Sequence, residues 1–181
     1  MLNYNNDFKD IITQYPDLWK TKQFKEGRTL LEEGNVANKN FYVESGIIMA
    51  YYYSEKRDKE IITGFFSAGD SIIFHRSFTE PMIMSLTFEV IEGASVCVID
   101  AQNWNKIEEQ EPKLHEVLHK EYDKVIRRLA EYSIIRNERK AIERYNLFMR
   151  SRPYAHRIKV EHIASYLGIH KSSLSHLRSN C

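Results

Sequence analysis

Cysteine is scarce: of 181 residues only Cys97, inside an apolar run, and Cys181, at the C-terminal end, carry thiols. Two thiols so placed cannot form a disulfide framework or supply four ligands to a zinc or iron–sulfur site. This usage suits a reducing compartment, so a cytoplasmic protein is expected. No stretch approaches the roughly 18 consecutive apolar residues of a membrane-spanning helix. Met1–Asn6 likewise has no basic patch followed by an apolar run, so neither membrane insertion nor secretion is expected. What is present is ordinary for a globular chain, 43% hydrophobic and 28% charged, which argues against disorder.

Net charge is only +1, but it is unevenly spread. From Arg136 onward ten Lys and Arg stand against three Glu, whereas the remainder carries 16 basic against 22 acidic residues. A basic terminal segment on an acidic body is the footprint of a protein whose small part meets phosphate. On charge alone, a solvated helical surface explains the bias equally well.

Along the chain, residues 4–20 read as one or two short helices, with Phe8, Ile11 and Ile12 on one face and a break at Pro16. Short β-branched and aromatic runs follow at Thr29–Leu31, Phe41–Val43, Ile47–Tyr53, Ile61–Phe66, Ile83–Ile91 and Val96–Ile99. Gly27, Gly34, Gly46 and Gly69 fall between them, where positive φ is easiest without a Cβ. Lys56–Lys59 reads as a charged hairpin tip. Many short strands at turn spacing predict a sandwich or barrel.

From Pro112 the period becomes helical, and one long helix is predicted to Asn137. Leu118, Tyr122, Val125, Leu129 and Tyr132 are spaced as a heptad seam, which favours a homodimer over packing against the β-domain. Ile126 and Ile135 form a second stripe that could face the chain's own roll. After a bend at 136–138, a further helix carries Ala141, Ile142, Tyr145 and Phe148 and stops before Pro153. The layout is then 1–111 for a β-roll with N-terminal helices, 112–137 for a dimerisation helix and 138–181 for a DNA-binding segment.

The stretch Val160–Arg178 carries the strongest motif. Ala164 is small where two helices would cross, Gly168 suits the tight turn, and Ile163, Leu167, Ile169, Leu174 and Leu177 supply apolar contacts. Together they predict a helix-turn-helix. Its second helix, His170–Ser179, would present Lys171, Ser172, Ser173, Ser175, His176 and Arg178 to the major groove. Lys171 can donate to guanine O6 and N7, and the serines to bases or phosphate. Arg150, Arg152, Arg157 and Lys159 would lie near phosphates. Each is also an ordinary residue type for a solvated surface.

In this order of elements the sequence resembles the Crp/Fnr family of bacterial transcription regulators. The matching segments are Phe24–Gly27, Glu33-Gly34, Phe41–Gly46, Ala68-Gly69-Asp70, Glu143-Arg144-Tyr145 with Phe148, and Ile163–Gly168; the last two resemble the Bacteroidetes branch. The resemblance implies an α+β chain: a double-stranded β-roll (jelly roll) like a cyclic-nucleotide-binding domain, a long dimerisation helix and a C-terminal helix-turn-helix. It further implies a homodimer on a palindromic operator of double-stranded DNA, with half-sites about 34–36 Å apart, a small-molecule effector, and RNA polymerase as a possible partner.

The chain departs from the family at the effector site. Where cyclic-nucleotide binders pair an arginine with the phosphate, this chain has Ile73-Phe74-His75 and Ser85-Leu86, and no arginine from Ser77 to Ile126. An unpaired phosphate in an apolar roll is costly. The expected pocket of Gly69, Asp70, Phe74, His75 and Ser85 would therefore take another small molecule or a partner. No cysteine precedes Cys97 to hold a cluster, and His75 alone makes no haem ligand pair; neither cofactor nor metal is expected. His176 also stands where the family commonly has arginine.

Two rival readings remain. His115-Glu116-Val117-Leu118-His119 matches the zinc-peptidase pattern, with two imidazoles one helical turn apart, but it offers no third ligand and Leu118 belongs to the apolar seam. The other rival is a ligand-binding or interaction protein that has lost DNA binding. The regulator reading makes the chain no enzyme.

Overall fold

Six strands in a computed structural model, which describes residues 7–74 and 80–179, form one sheet: β1 (Lys20–Phe24), β2 (Thr29–Leu31), β3 (Lys39–Ser54), β4 (Lys59–Ser67), β5 (Ser71–Ile72) and β6 (Thr87–Asp100). Its path runs β1-β6-β3-β4, with β2 also paired to β6 and β5 to β3. β1 and β2 pair antiparallel with β6, and β5 antiparallel with β3; the curled sheet is a jelly roll followed by helices. The helices are α1 (Asp7–Gln14), α2 (Ala101–Gln110), α3 (Leu114–Asn137), α4 (Ala141–Ser151), α5 (Val160–Leu167) and α6 (Lys171–Ser179).

Two runs predicted on either side of Gly46 are one strand. Gly46 has φ 88° inside β3, so its positive φ belongs to an irregularity within the strand and not to a connecting turn. A Cβ there would fall 2.5 Å from the Gly93 carbonyl oxygen and 2.7 Å from the Ala94 Cβ. The last two predicted runs likewise merge into β6, which starts at Thr87; Ile83 makes only an isolated bridge to Val36.

β1 stands where a helix was expected to end. Its polar sequence, Lys-Thr-Lys-Gln-Phe, has no apolar alternation; its conformation is set by pairing with β6, from Lys20 opposite Val98 to Phe24 opposite Ala94. Lysines on such an edge discourage pairing with another chain. α2 was not foreseen either: the Asp100 carboxylate accepts the Asn103 N–H at 2.9 Å, an N-cap, and Trp104 and Ile107 are buried three residues apart.

The chain divides into a unit of 1–50 with 65–123 and a second of 51–64 with 124–181. In the first, one cluster joins Phe8, Ile11, Trp19, Trp104, Ile107 and Leu114, with Phe8 edge-on to Trp19 at 5.8 Å. A second fills the roll with Phe41, Val43, Ile48, Ile72, Phe88 and Val90. In the second unit Phe148, Ile163, Tyr166, Leu167 and Leu174 are buried. There the hairpin edge meets α5: the Ser165 hydroxyl donates to the Glu60 carbonyl and accepts the Ile62 N–H, both at 3.2 Å.

Gly46→Ala should therefore destabilise the fold, by about 1–3 kcal/mol for a non-glycine residue forced to positive φ and more from the crowding at Gly93 and Ala94. A urea midpoint equal to that of the parent protein would show that this close approach is not needed.

Candidate nucleic-acid interface and roll interior

α5 and α6 pack against each other; Ile163, Ala164, Leu167 and Leu174 on them are buried, and Gly168 ends α5 with φ 65°. The Gly168 and Ile169 amides return to the Ser165 and Ala164 carbonyls at 3.1 and 3.0 Å, closing the helix end. This turn leaves Lys171, Ser172, Ser173, Ser175, His176 and Arg178 exposed on α6, with Leu177 half-buried. Arg157 and Lys159 are exposed just ahead of α5.

Several of these groups already have partners. The Lys171 ammonium sits 2.5 Å from the Glu161 carboxylate, and that hydrogen bond holds the Glu161 carboxyl below the usual carboxylate range. The Ser172 hydroxyl is 2.6 Å from His170 Nδ1, and the Ser175 hydroxyl donates to the Lys171 carbonyl at 3.0 Å.

The apolar seam on α3 differs from the heptad spacing. Leu118 is 3% exposed and belongs to the core cluster of α1, α2 and α3, while Tyr132 is half-buried with its ring 4.9 Å from that of Tyr166. The exposed stripe is Tyr122, Val125, Ile126 and Leu129, the last two each 62% exposed. Ile126, read as facing the roll, is thus part of the open face, whereas Ile135 is buried.

His115 and His119 are exposed on α3, and Glu116 pairs with Lys120 at 3.0 Å. Glu116 borders a cleft of about 290 Å³ with Asp10, Gln14, Glu111, Lys113 and Lys120, and neither histidine lines it. Among the described residues no three His, Cys, Asp or Glu gather as a metal site, and no helix is long and apolar enough to cross a membrane.

In the roll, Gly69 adopts φ 91° and donates its N–H to the Val43 carbonyl at 2.9 Å. The Asp70 carboxylate accepts the Ser67 N–H at 2.8 Å, so this pair shapes the turn before β5. Phe74 is half-buried and edge-on to Phe88 at 5.6 Å, whereas Ser85 is exposed; His75 lies outside the described residues. Sequence reading missed Asn40: fully buried, it accepts the Phe74 N–H through Oδ1 at 2.7 Å, and its Nδ2 has no hydrogen-bond partner among the described residues. A lone amide before the apolar run Phe41–Val43 was the available signal.

Residues 21–111 match the family described as the cyclic nucleotide-binding domain. The chain belongs to that family. FixK2 from Bradyrhizobium japonicum is similar in structure, with TM-score 0.76 and 17% identity over 90% of this chain and 83% of that one. So is CLP of Xanthomonas campestris, described as a c-di-GMP-responsive global regulator, with TM-score 0.75 and 13% identity over 95% and 90%. A CooA variant from Carboxydothermus hydrogenoformans gives 0.70 and 18% over 91% and 76%. No curated protein matches the sequence. At these identities the likeness is one of fold, and this cyclic nucleotide-binding domain protein keeps its own side chains in the roll.

Beyond the family match, three arginines of the basic tail act inside the second unit. Arg152, read as a phosphate contact, is buried: its guanidinium lies against both the Phe148 and Tyr166 rings, 4.9 and 5.1 Å from their centroids. It donates to Glu131 at 2.7 Å and to the Tyr166 hydroxyl at 2.9 Å. Arg144 donates to the Glu138 and Leu167 carbonyls at 2.7 and 3.2 Å, and Arg136 to the Tyr166 carbonyl at 3.5 Å. The C-terminal carbonyls of α5 thus receive cationic donors, which suits the negative end of a helix.

Arg152→Ala should destabilise the second unit by about 2–4 kcal/mol, because Glu131 and the Tyr166 hydroxyl lose a partner together; an unchanged urea midpoint would return Arg152 to a surface role. Burial pushes the Tyr166 phenol up to about 12, against an ordinary value near 10. Between those pH values the folded state holds a proton that the unfolded chain releases, so stability should fall as pH rises across the window. Tyr166→Phe should flatten that fall in unfolding series at about pH 9–12. An identical slope in the variant would assign the effect to Tyr53 or Tyr122, whose phenols are also raised.

Proposed function

We propose that the chain is a transcription regulator of the Crp/Fnr type, binding double-stranded DNA as a homodimer through α6. The observation that carries this reading is the exposed row of Lys171, Ser172, Ser173, Ser175, His176 and Arg178 on a helix whose approach is fixed by the turn at Gly168. A groove-reading helix needs both properties: donors on the outward face and a rigid inner face. Arg157 and Lys159 supply exposed positive charge for phosphates beside it. The likeness to FixK2, CLP and CooA, proteins of Crp/Fnr type, supports the same reading.

In this proposal residues 1–111 sense, 112–137 join two copies and 138–181 bind DNA. The open stripe Tyr122, Val125, Ile126 and Leu129 is the joining surface, because two such stripes bury each other when two helices pack side by side. The roll answers to a small molecule or partner other than a cyclic nucleotide held in the usual way, since residues 77–126 contain no arginine for its phosphate. RNA polymerase is the natural downstream partner of such a regulator, and the resemblance of Glu143–Tyr145 and Ile163–Gly168 to the Bacteroidetes branch supports assigning it there. No peptidase activity is proposed for His115 and His119.

Selection of genomic fragments by the purified protein should return a palindrome bound in a salt-sensitive complex. Leu129→Glu should give a monomer in light scattering and lose the palindrome, and Lys171→Ala should weaken it about tenfold while the fold persists. Equal affinity for every duplex, or a dimer that survives Leu129→Glu, would overturn the corresponding half of the proposal.

A further inference from the structure

Lys171 is the first residue of α6 and Glu161 the second of α5, so their ion pair bridges the starts of the two helices. Both ends remain open to solvent, with side chains 61% and 49% exposed. Cationic Lys171, His162 and Lys159 all act on the Glu161 carboxylate. The first turn of a helix adds its unbonded amides and the positive end of its dipole. A carboxylate of the protein therefore sits where the chain's own field would draw a DNA phosphate.

We infer that Glu161 is a specificity-determining residue: it competes with backbone phosphate for Lys171 and keeps that lysine silent on duplexes that offer it no base acceptor. The inference rests on the DNA-binding reading above. An exposed ion pair is weak, amounting to a factor of roughly five or less in equilibrium. A single phosphate contact in water is comparable, so on arbitrary DNA Lys171 gains little by leaving Glu161. A paired acceptor such as guanine O6 and N7 is worth roughly five- to a hundredfold in discrimination, enough to draw the lysine away. Glu161 also brings a negative charge close to the phosphates, which weakens every complex in which Lys171 has left it. Opposing the wrong complex in this way is a recognised route to specificity.

The test uses the full chain, a random-sequence duplex and the selected palindrome, with binding followed by fluorescence anisotropy over a range of salt. On the random duplex Glu161→Gln should bind about fivefold more tightly, and its log K against log salt should steepen by about 0.9, one extra phosphate contact. The double variant Glu161→Gln/Lys171→Gln should match the parent protein in affinity and slope on that duplex, because the lysine contributed nothing there. On the palindrome the double variant should lose about tenfold, the base contact being gone. An unchanged slope in Glu161→Gln, or a double variant shallower than the parent by about one contact, would show that Lys171 is already on phosphate and overturn the inference alone. If the parent protein binds neither duplex in a salt-sensitive way, the DNA-binding reading itself fails and the inference falls with it. Both side chains are exposed, and unchanged circular dichroism and urea midpoints are the expected folding controls.

Discussion

Gly168 ends α5 in the left-handed region, φ 65°, a conformation that favours a residue without a side chain. That constraint fixes how α6 leaves α5. A left-handed residue there turns the chain at once, and the carbonyls just ahead of it, Tyr166 and Leu167, receive Arg136 and Arg144. A Cβ there would push the Arg136 guanidinium from the Tyr166 carbonyl, while Arg144 would still hold that of Leu167. The outward row from Lys171 to Arg178 starts just beyond that left-handed residue.

The same contacts change the meaning of the basic tail. By composition it carries ten cations against three carboxylates, but Arg136, Arg144 and Arg152 point into the second unit as helix-end donors and as a stacked ion pair. Guanidinium suits these places because it is planar, stacks on aromatic rings and donates in several directions. Charge counted along a sequence therefore overstates the charge offered to a ligand. What faces outward is smaller and more selective, and Lys171, the first of it, is matched to Glu161.

Local chemistry was legible in the sequence where a single residue decided the outcome. Gly168 marked the turn that ends α5, Pro153 the end of α4, and Gly27, Gly34 and Gly69 positive-φ positions. What was not legible depended on partners distant in sequence. β1 is a strand because β6 lies beside it, and Gly46 looked like a turn because its close neighbour, Gly93, is 47 positions away. Heptad spacing put Leu118 on the same seam as Leu129, yet only the first turns of α3 lie against α1 and α2, which bury Leu118 and leave Leu129 open. Arg152 and Asn40 were misread or missed for the same reason: the rings and amide that surround them come from other parts of the chain.

The longest hairpin shows how such distant partners seat a helix. β4 is an edge strand, and an edge leaves alternate backbone groups unpaired. At Glu60 and Ile62 those groups are taken by one hydroxyl, that of Ser165, which both donates and accepts. Two such bonds contribute about 1 kcal/mol each, enough to hold register and weak enough to exchange. α5 is thereby seated as though it were a further rung on β4, one residue before Tyr166, whose hydroxyl and carbonyl meet Arg152 and Arg136.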